Sequence, residues 1–262
     1  MDLGIAGKKA LVMSSSRGLG LGIAEALAAE GCDVLLTARD SARLDQAVET
    51  INAREGGRAA SVVADLADPS SLDVISDAVQ SELGGADIFV ANTGGPPPGL
   101  MADVDPSALG QYFDAMVVRV VALAQRLVPH MRDAGWGRFV AVGSLGVVQP
   151  IPNLAISNLV RSSLVGWSKS LSSDLADDGI TVNMLLPGRI HTDRVDQIDA
   201  AAAQRMDATL EDARAASRAT IPAGRYGSVE EFAGTAAFLC SQQAGYITGS
   251  LVRCDGGLIR SV

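Results

Sequence analysis

The strongest constraint on the fold of this 262-residue chain is an alternation between short apolar runs and amphipathic stretches of helical length. Apolar runs begin near residues 9, 33, 59, 87, 138, 181 and 251, and helical patterns separate them. No internal repeat or low-complexity linker interrupts the pattern, although an Ala-rich segment near 199–218 looks mobile. Because parallel strands need crossover connections, this order predicts one α/β domain, residues 1–262, with a doubly wound parallel sheet of about seven strands flanked by helices.

Composition narrows the functional classes. A net charge of −9 argues against nucleic acid or an anionic membrane as the main partner, because both need basic surface. The three cysteines, Cys32, Cys240 and Cys254, are far apart and fit reduced thiols in a cytoplasmic protein. With His130 and His191 as the two histidines, no metal site is expected.

Neither a secretory signal nor a membrane span is expected. The N-terminus lacks a basic-then-apolar pattern, and no run of 18 apolar residues occurs. The most apolar helix, around Met116 to Val128, is interrupted by Arg119 and Arg126. We interpret it as buried or interfacial.

A glycine- and serine-rich turn joins the first strand to the first helix. Its sequence is Met13-Ser-Ser-Ser-Arg-Gly-Leu-Gly20. A nucleotide pyrophosphate needs a tight turn, free backbone N–H groups and the positive end of a helix dipole, and Gly18 and Gly20 meet part of that need. The alternative is that these glycines merely ease helix–strand packing. The predicted cofactor contacts here are Ser14, Ser16, Arg17, Gly18, Leu19 and Gly20.

A second functional segment runs from Ser144 to Arg161. It follows an apolar run, residues 138–143, and leads into a long helix, so Ser144 is expected where a parallel sheet delivers side chains to a crevice. Thirteen residues after Ser144 stands Ser157, and four residues later stands Arg161. Ser144 is therefore a candidate catalytic residue.

The spacing of these segments resembles that of the short-chain dehydrogenase/reductase family, nearest its β-ketoacyl carrier-protein reductase-like members. In that family a serine after the strand is followed thirteen residues later by Tyr-x-x-x-Lys, and the phosphate turn reads Thr-Gly-x-x-x-Gly-x-Gly. Here Ser157 and Arg161 stand at the tyrosine and lysine positions, and Met13 and Ser14 replace Thr and the first Gly. The family's supporting asparagine falls on Met116. The resemblance covers about residues 7–257 and implies a Rossmann-type fold.

The resemblance also implies further cofactor contacts. They follow the strands and lie in the motifs Ala91-Asn-Thr-Gly94 and Pro187-Gly-Arg-Ile-His-Thr192: Asp65, Leu66, Asn92, Gly94, Arg161, Pro187, Gly188, Ile190 and Thr192. At the end of the second strand stands Arg39, where an acidic residue would favour NAD and an arginine favours NADP. With Arg17 nearby, NADP(H) is favoured over NAD(H). The alternative is that Arg39 is a surface charge paired with Asp40.

Ser157 and Arg161, in place of the family's tyrosine and lysine, weaken acid catalysis. A tyrosine hydroxyl titrates near ~10, whereas a serine hydroxyl is a far weaker acid, and an arginine holds its proton. We hypothesise that His191, in the Pro-Gly loop, is a substitute acid rather than an ordinary loop residue, and Tyr112 is a weaker candidate. A rigid loop, Gly95, Pro96, Pro97 and Pro98, either walls a substrate pocket or forms a surface turn.

The sequence therefore predicts an NADP(H)-dependent enzyme that reduces a small-molecule carbonyl or oxidises an alcohol, with Ser144 and Ser157 orienting the oxygen and Arg161 on the ribose and oxyanion. Two alternatives stay open. One is non-redox chemistry in the same pocket, as in dehalogenase relatives that replace the lysine with arginine. The other is a non-catalytic nucleotide-binding sensor or assembly subunit. Family members usually form tetramers through two long helices, which predicts a homotetramer or homodimer through residues 105–134 and 153–178.

Overall fold

The computed structural model describes residues 2–261 and contains a seven-stranded, entirely parallel sheet. Its strand order is β3-β2-β1-β4-β5-β6-β7, which confirms the predicted doubly wound arrangement. The strands are β1 (Lys9–Val12), β2 (Asp33–Ala38), β3 (Ala59–Val63), β4 (Ile88–Ala91), β5 (Gly137–Val142), β6 (Ile180–Pro187) and β7 (Leu251–Cys254).

Nine α-helices connect or follow these strands within residues 2–261. They are α1 (Gly18–Ala29), α2 (Ser41–Asn52), α3 (Ser71–Ala78), α4 (Pro106–Phe113), α5 (Arg119–Ala134), α6 (Ala155–Leu175), α7 (Asp193–Met206), α8 (Leu210–Ala219) and α9 (Val229–Leu239). Short π-helical turns extend α3 and join α4 to α5.

The apolar runs are nearly continuous because both faces of the sheet are covered. In β4, Ile88 and Val90 belong to the core shared with α1, α2 and α9. Phe89 and Ala91 point to the opposite face and belong to the core shared with α3, α5 and α6. Helix α1 packs so closely on α9 that a Cβ added at Gly22 would lie 2.2 Å from a Val229 methyl group.

The strand order changes direction between β1 and β4. Strands β2 and β3 lie on the β1 side, and β5, β6 and β7 lie on the β4 side. Parallel strands all end at one edge, so the segments after β1, β4, β5 and β6 meet around this switch point. Every candidate catalytic residue lies in one of those segments or in the first two turns of α6.

Two segments differ in detail from the sequence expectation. The Ala-rich stretch near 199–218 is helical and belongs to α7 and α8. Residues 106–134 form one helical run whose length and apolar composition match a membrane span, with 28% of its most apolar window buried. One side of that run packs in the core through Val120, Leu123 and Leu127.

Candidate active site

The phosphate turn places a serine in a backbone conformation that favours glycine. Ser14 has φ +48° and Gly18 has φ +58°. The left-handed region costs a non-glycine residue about 1–2 kcal/mol, so the surrounding structure must hold Ser14 there. A buried neighbour does so, because the Ser15 hydroxyl donates to the Val12 carbonyl at 2.7 Å and accepts from the Thr37 N–H at 3.1 Å.

The same turn is closed from the other side by Gly20 and Asn92. The Asn92 amide donates to the Ser14 carbonyl at 3.1 Å. A Cβ at Gly20 would lie 2.4 Å from that carbonyl oxygen and 2.7 Å from Asn92 Nδ2, so the contact requires glycine. Arg17 occupies the N-cap position of α1 without a side-chain cap, which leaves the N–H groups of the first turn for a ligand. Leu19 instead packs against the adjacent core.

The end of β2 is followed by Arg39 and Asp40, and the end of β3 is followed by Asp65. Asp40 caps α2, accepting from the Arg43 N–H at 3.2 Å and pairing with the Arg43 guanidinium at 3.3 Å. Arg39 extends from the surface with its side chain 78% exposed, and its Nη1 lies 3.9 Å from Asp65 rather than beside Asp40. Leu66 packs against the core behind this edge.

Ser144 lies at the end of β5, where the strand opens into a short 3₁₀ turn. Its Oγ accepts a hydrogen bond from the Gly146 N–H at 3.1 Å, so its own proton is free to donate. The turn is tied to α6 by Asn158, whose amide donates to the Ile151 carbonyl at 2.9 Å and accepts from the Ile151 N–H at 3.3 Å. Backbone and helix therefore fix the position of Ser144.

Ser157 and Arg161 share one face of α6, a single turn apart, and both are buried. The Arg161 guanidinium donates from Nη1 to the Val142 carbonyl at 2.8 Å. Its Nη2 donates to the carbonyls of Thr93 and Gly94 at 3.2 and 3.4 Å. Arg161 thereby joins the carboxyl ends of β4 and β5, the strands on one side of the crevice.

The charge of Arg161 is not balanced by a carboxylate within residues 2–261. Burial lowers the pKa of its guanidinium to about 10, which still leaves it protonated at neutral pH. The Ser157 hydroxyl makes no hydrogen bond within the same residues. Met116, at the family's asparagine position, is buried in the π-helical turn between α4 and α5 and offers no proton relay.

The segment after β6 reaches across the crevice. Gly188 approaches the chain so closely that a Cβ would lie 2.5 Å from Asp255 Cα, and Ile190 is buried beside Gly227. Thr192 then starts α7 as its N-cap residue, 3.8 Å from the position of a Cβ on Gly18. Pro187 is the last residue of β6. Arg17 Nη1 donates to the Asp193 carboxylate at 3.3 Å, so the phosphate turn is in contact with the start of α7.

His191 lies on the outer side of that segment. Its side chain is 60% exposed, and Nε2 lies 3.2 Å from Asp196 on α7. Arg214 on α8 donates to the same carboxylate at 2.7 Å, and its hydrogen bond is the main reason that the pKa of Asp196 is lowered. Tyr112 is partly buried and packs against the core.

The loop after β4 forms the opposite wall. Pro96 is buried while Gly95, Pro97 and Pro98 are exposed. Arg194 on α7 donates to the Pro96 carbonyl at 3.3 Å, and Gly99 pairs with the chain just before α6. The loop is therefore held by both α7 and α6.

The family model described as enoyl-(acyl carrier protein) reductase matches residues 13–259. The chain is 33% identical over 254 residues to 3-oxoacyl-[acyl-carrier-protein] reductase FabG of Escherichia coli, covering 96% of this chain and 97% of that protein. The chain belongs to the short-chain dehydrogenase/reductase family.

Solved structures of the family agree. L-sorbose reductase from Gluconobacter frateurii, complexed with NADPH and L-sorbose, superposes with a TM-score of 0.94 at 33% identity, covering 100% of both chains. An actinorhodin polyketide ketoreductase with NADPH gives a TM-score of 0.90 at 26% identity, covering 96% of this chain and 97% of the ketoreductase. The chain thus has the complete fold of an oxidoreductase family.

The sequence does not predict a separate role for Thr93, which lies within the motif 91–94. Its carbonyl accepts from Arg161, and its buried hydroxyl has no hydrogen-bond partner within residues 2–261. The sequence signal for this role is a threonine at the position where the family pattern Asn-Asn-Ala-Gly has alanine.

Proposed function

We propose that this protein is an NADP(H)-dependent oxidoreductase that interconverts a carbonyl and a secondary alcohol, as a 3-oxoacyl reductase does. The observation that carries the proposal is the convergence of Ser144, Ser157 and Arg161 at the carboxyl ends of β4 and β5, beside a closed phosphate turn. Ser144 and Ser157 orient the substrate oxygen, while Arg161 contacts the nicotinamide ribose and the developing oxyanion.

The residues fit a dinucleotide. Gly20 and Asn92 hold the turn closed, and α1 has uncapped N–H groups at its start, which suit a pyrophosphate. Asp65, Leu66, Gly94 and the segment 187–192 supply the adenine and nicotinamide contacts. Arg39 favours a 2′-phosphate, whereas Arg17 pairs with Asp193 on α7 at 3.3 Å. The engagement of Asp40 with Arg43 removes the acidic residue that would favour NAD.

A bound dihydronicotinamide supplies the hydride for carbonyl reduction. The resulting alkoxide is stabilised by Arg161 and the two serine hydroxyls. It takes its proton from water, because a serine hydroxyl is a far weaker acid than a tyrosine and the Arg161 guanidinium already donates to backbone carbonyls. Donation by His191 stays a prediction. It requires His191 to leave Asp196, and unchanged turnover and pH profile in a His191→Ala variant would exclude it.

The missing tyrosine favours one other candidate, a nucleotide-binding subunit without turnover. Nucleotide-free protein titrated calorimetrically with NADPH and NADH, followed by a carbonyl panel, separates the two. Tight NADPH binding with turnover supports the oxidoreductase, and stoichiometric binding without turnover on any carbonyl supports the subunit. Failure of both nucleotides to bind overturns both proposals and leaves non-redox chemistry.

Cofactor preference has a matched test. Arg39→Ala should weaken NADPH binding about ten-fold or more and leave NADH binding unchanged, because it removes a charge-assisted contact to the 2′-phosphate. Arg54→Ala is the control, because Arg54 pairs with Glu25 of α1 at 3.6 Å. Equal losses for the two nucleotides would contradict the preference for NADP.

We also propose a cytoplasmic homotetramer or homodimer. In support, Cys32, Cys240 and Cys254 are free thiols, and the outer surfaces of α5 and α6 carry half-buried apolar side chains, Val121, Trp167 and Leu171 among them. The apolar run 106–134 is mostly not buried by its own chain, which suits an interface.

A further inference from the structure

Arg161 has more N–H donors than the backbone carbonyls around it accept. A guanidinium has five N–H groups, and at most three of them are used by the carbonyls of Val142, Thr93 and Gly94. At least two N–H groups remain, on a side chain that is 7% exposed. A buried cation with spare donors and only neutral partners is under-compensated.

The neighbouring side chains add donors and no acid. Ser144 Oγ already accepts a hydrogen bond, so it is left as a donor. The Ser157 hydroxyl, on a side chain that is 9% exposed, makes no hydrogen bond within residues 2–261. The Thr93 hydroxyl also lacks a partner there but is buried from solvent. Arg161, Ser144 and Ser157 thus supply donor groups from the end of β5 and from α6, and Arg161 is paired with no carboxylate in the described residues.

Residue size at position 157 matters as well. A serine is shorter than the family's tyrosine by a whole phenol ring, so Ser157 leaves more room beside Arg161, one turn further along α6, than a tyrosine would. The chemistry of the resident donors is that of an anion site, and the planar guanidinium matches the two oxygens of a carboxylate better than a point charge does.

We propose that the substrate carries a carboxylate on the carbon next to the reacting carbon or one carbon further, and that Arg161 and Ser157 bind this carboxylate. The substrate class is short oxo acids and their hydroxy acids. One spare Arg161 N–H and the Ser157 hydroxyl then meet the carboxylate oxygens, and the other spare N–H is left for the nicotinamide ribose and the oxygen that becomes the alkoxide. This inference rests on the proposed oxidoreductase function, because it uses the same crevice.

Binding of matched acid and amide pairs tests the inference without depending on turnover. Protein saturated with NADP⁺ is titrated calorimetrically with lactate against lactamide and with 3-hydroxybutanoate against 3-hydroxybutanamide. We expect at least one acid to bind about ten-fold tighter than its amide or better, the usual gain for a hydrogen-bonded charge pair. Equal affinities within both pairs, or no binding of either acid, would overturn the inference.

Two variants test whether Arg161 causes the preference for the acid over the amide. Arg161→Gln should bring the acid-to-amide ratio close to one, and Arg126→Gln, on the surface of α5 beside Asp73, should leave the ratio unchanged. Because Arg161→Gln removes ties between strands, NADP⁺ affinity and thermal unfolding are measured alongside. The wild-type ratio decides the question even when that variant does not fold.

The same titrations distinguish failure of this inference from failure of the proposed function. NADP⁺ binding with equal acid and amide affinities removes only the carboxylate site. Absence of NADP⁺ binding removes the oxidoreductase proposal and, with it, the substrate class.

Discussion

At the scale of single residues, Ser14 shows how a local rule can be broken without loss of the turn. Its φ of +48° is one that glycine adopts freely, and the Asn92 and Ser15 hydrogen bonds hold it there. The sequence identified position 14 as the weak point of the turn. It did not identify Ser15 as the support, because one serine among three neighbours carries no pattern.

Replacing Ser14 by glycine should raise the free energy of unfolding by up to about 1 kcal/mol, since the strain of a left-handed serine exceeds the added freedom of the unfolded chain. The check is urea denaturation. The neighbouring Ser15→Ala is the contrasting variant and should cost about 1–3 kcal/mol by leaving the Thr37 N–H without its partner. A destabilised Ser14→Gly protein would show that the serine side chain itself supports the turn.

Ser157 and Arg161 carry the second residue-scale prediction. Restoring the family's pair with Ser157→Tyr and Arg161→Lys together should raise kcat for carbonyl reduction at least about ten-fold, because a positioned general acid typically contributes 10²–10⁴-fold. Each single variant should gain less than the pair, since the lysine tunes the tyrosine. Steady-state kinetics with NADPH affinity as the folding control is the measurement. A double variant that binds NADPH but is no faster than wild type would mean that proton donation is not limiting.

At the scale of elements, α7 and α8 form a unit over the crevice whose stability depends on a buried carboxylate. Asp199 is 2% exposed and accepts a hydrogen bond from the Tyr226 hydroxyl at 2.9 Å. Arg189 and Arg214 lie 3.8 and 3.9 Å from it. From sequence, this stretch looked mobile because its alanines give no clear apolar face. The pairing that orders it joins residues 27 positions apart, which periodicity does not reveal.

Tyr226→Phe should therefore loosen α7 and α8 selectively. Loss of a hydrogen bond to a buried charge, about 1.5–3 kcal/mol, should speed amide hydrogen exchange across residues 193–219 by about ten-fold or more, with the sheet unaffected. Tyr246→Phe is the matched control, since Tyr246 is fully exposed. If exchange in Tyr226→Phe matched the control, Asp199 would be held by its arginines alone.

At the scale of the whole molecule, the sheet was predictable and the details of the site were not. Seven apolar runs and the crossover rule lead to the observed parallel order, and the Ser144 and Arg161 positions follow from strand and helix ends. The partners of Arg161 did not follow, because backbone carbonyls accept hydrogen bonds irrespective of residue type. The pairing of Arg17 with Asp193 on α7, at 3.3 Å, did not follow from the sequence either.

Assembly is the remaining whole-molecule prediction. Light scattering at micromolar concentration should give the mass of a tetramer or dimer of the 26.9 kDa chain. Trp167→Glu should shift that mass toward the monomer, because it places a charge in an apolar interface. Val63→Glu, on the outer strand β3 and 51% exposed already, should leave the mass unchanged. A wild-type monomer would contradict the proposed assembly.

The arginine that joins β4 to β5 also changes how the crevice responds to covalent chemistry. The chain has three lysines, Lys8, Lys9 and Lys169. Lys8 and Lys9 lie at the start of β1, at the end of the sheet opposite the crevice. Lys169 lies in α6, beside Gly249. A short-chain dehydrogenase with a lysine in its crevice is open to inactivation by amine acylation. Here acylating metabolites would find no amine at that position, whereas dicarbonyl reagents that modify guanidines would have a buried target.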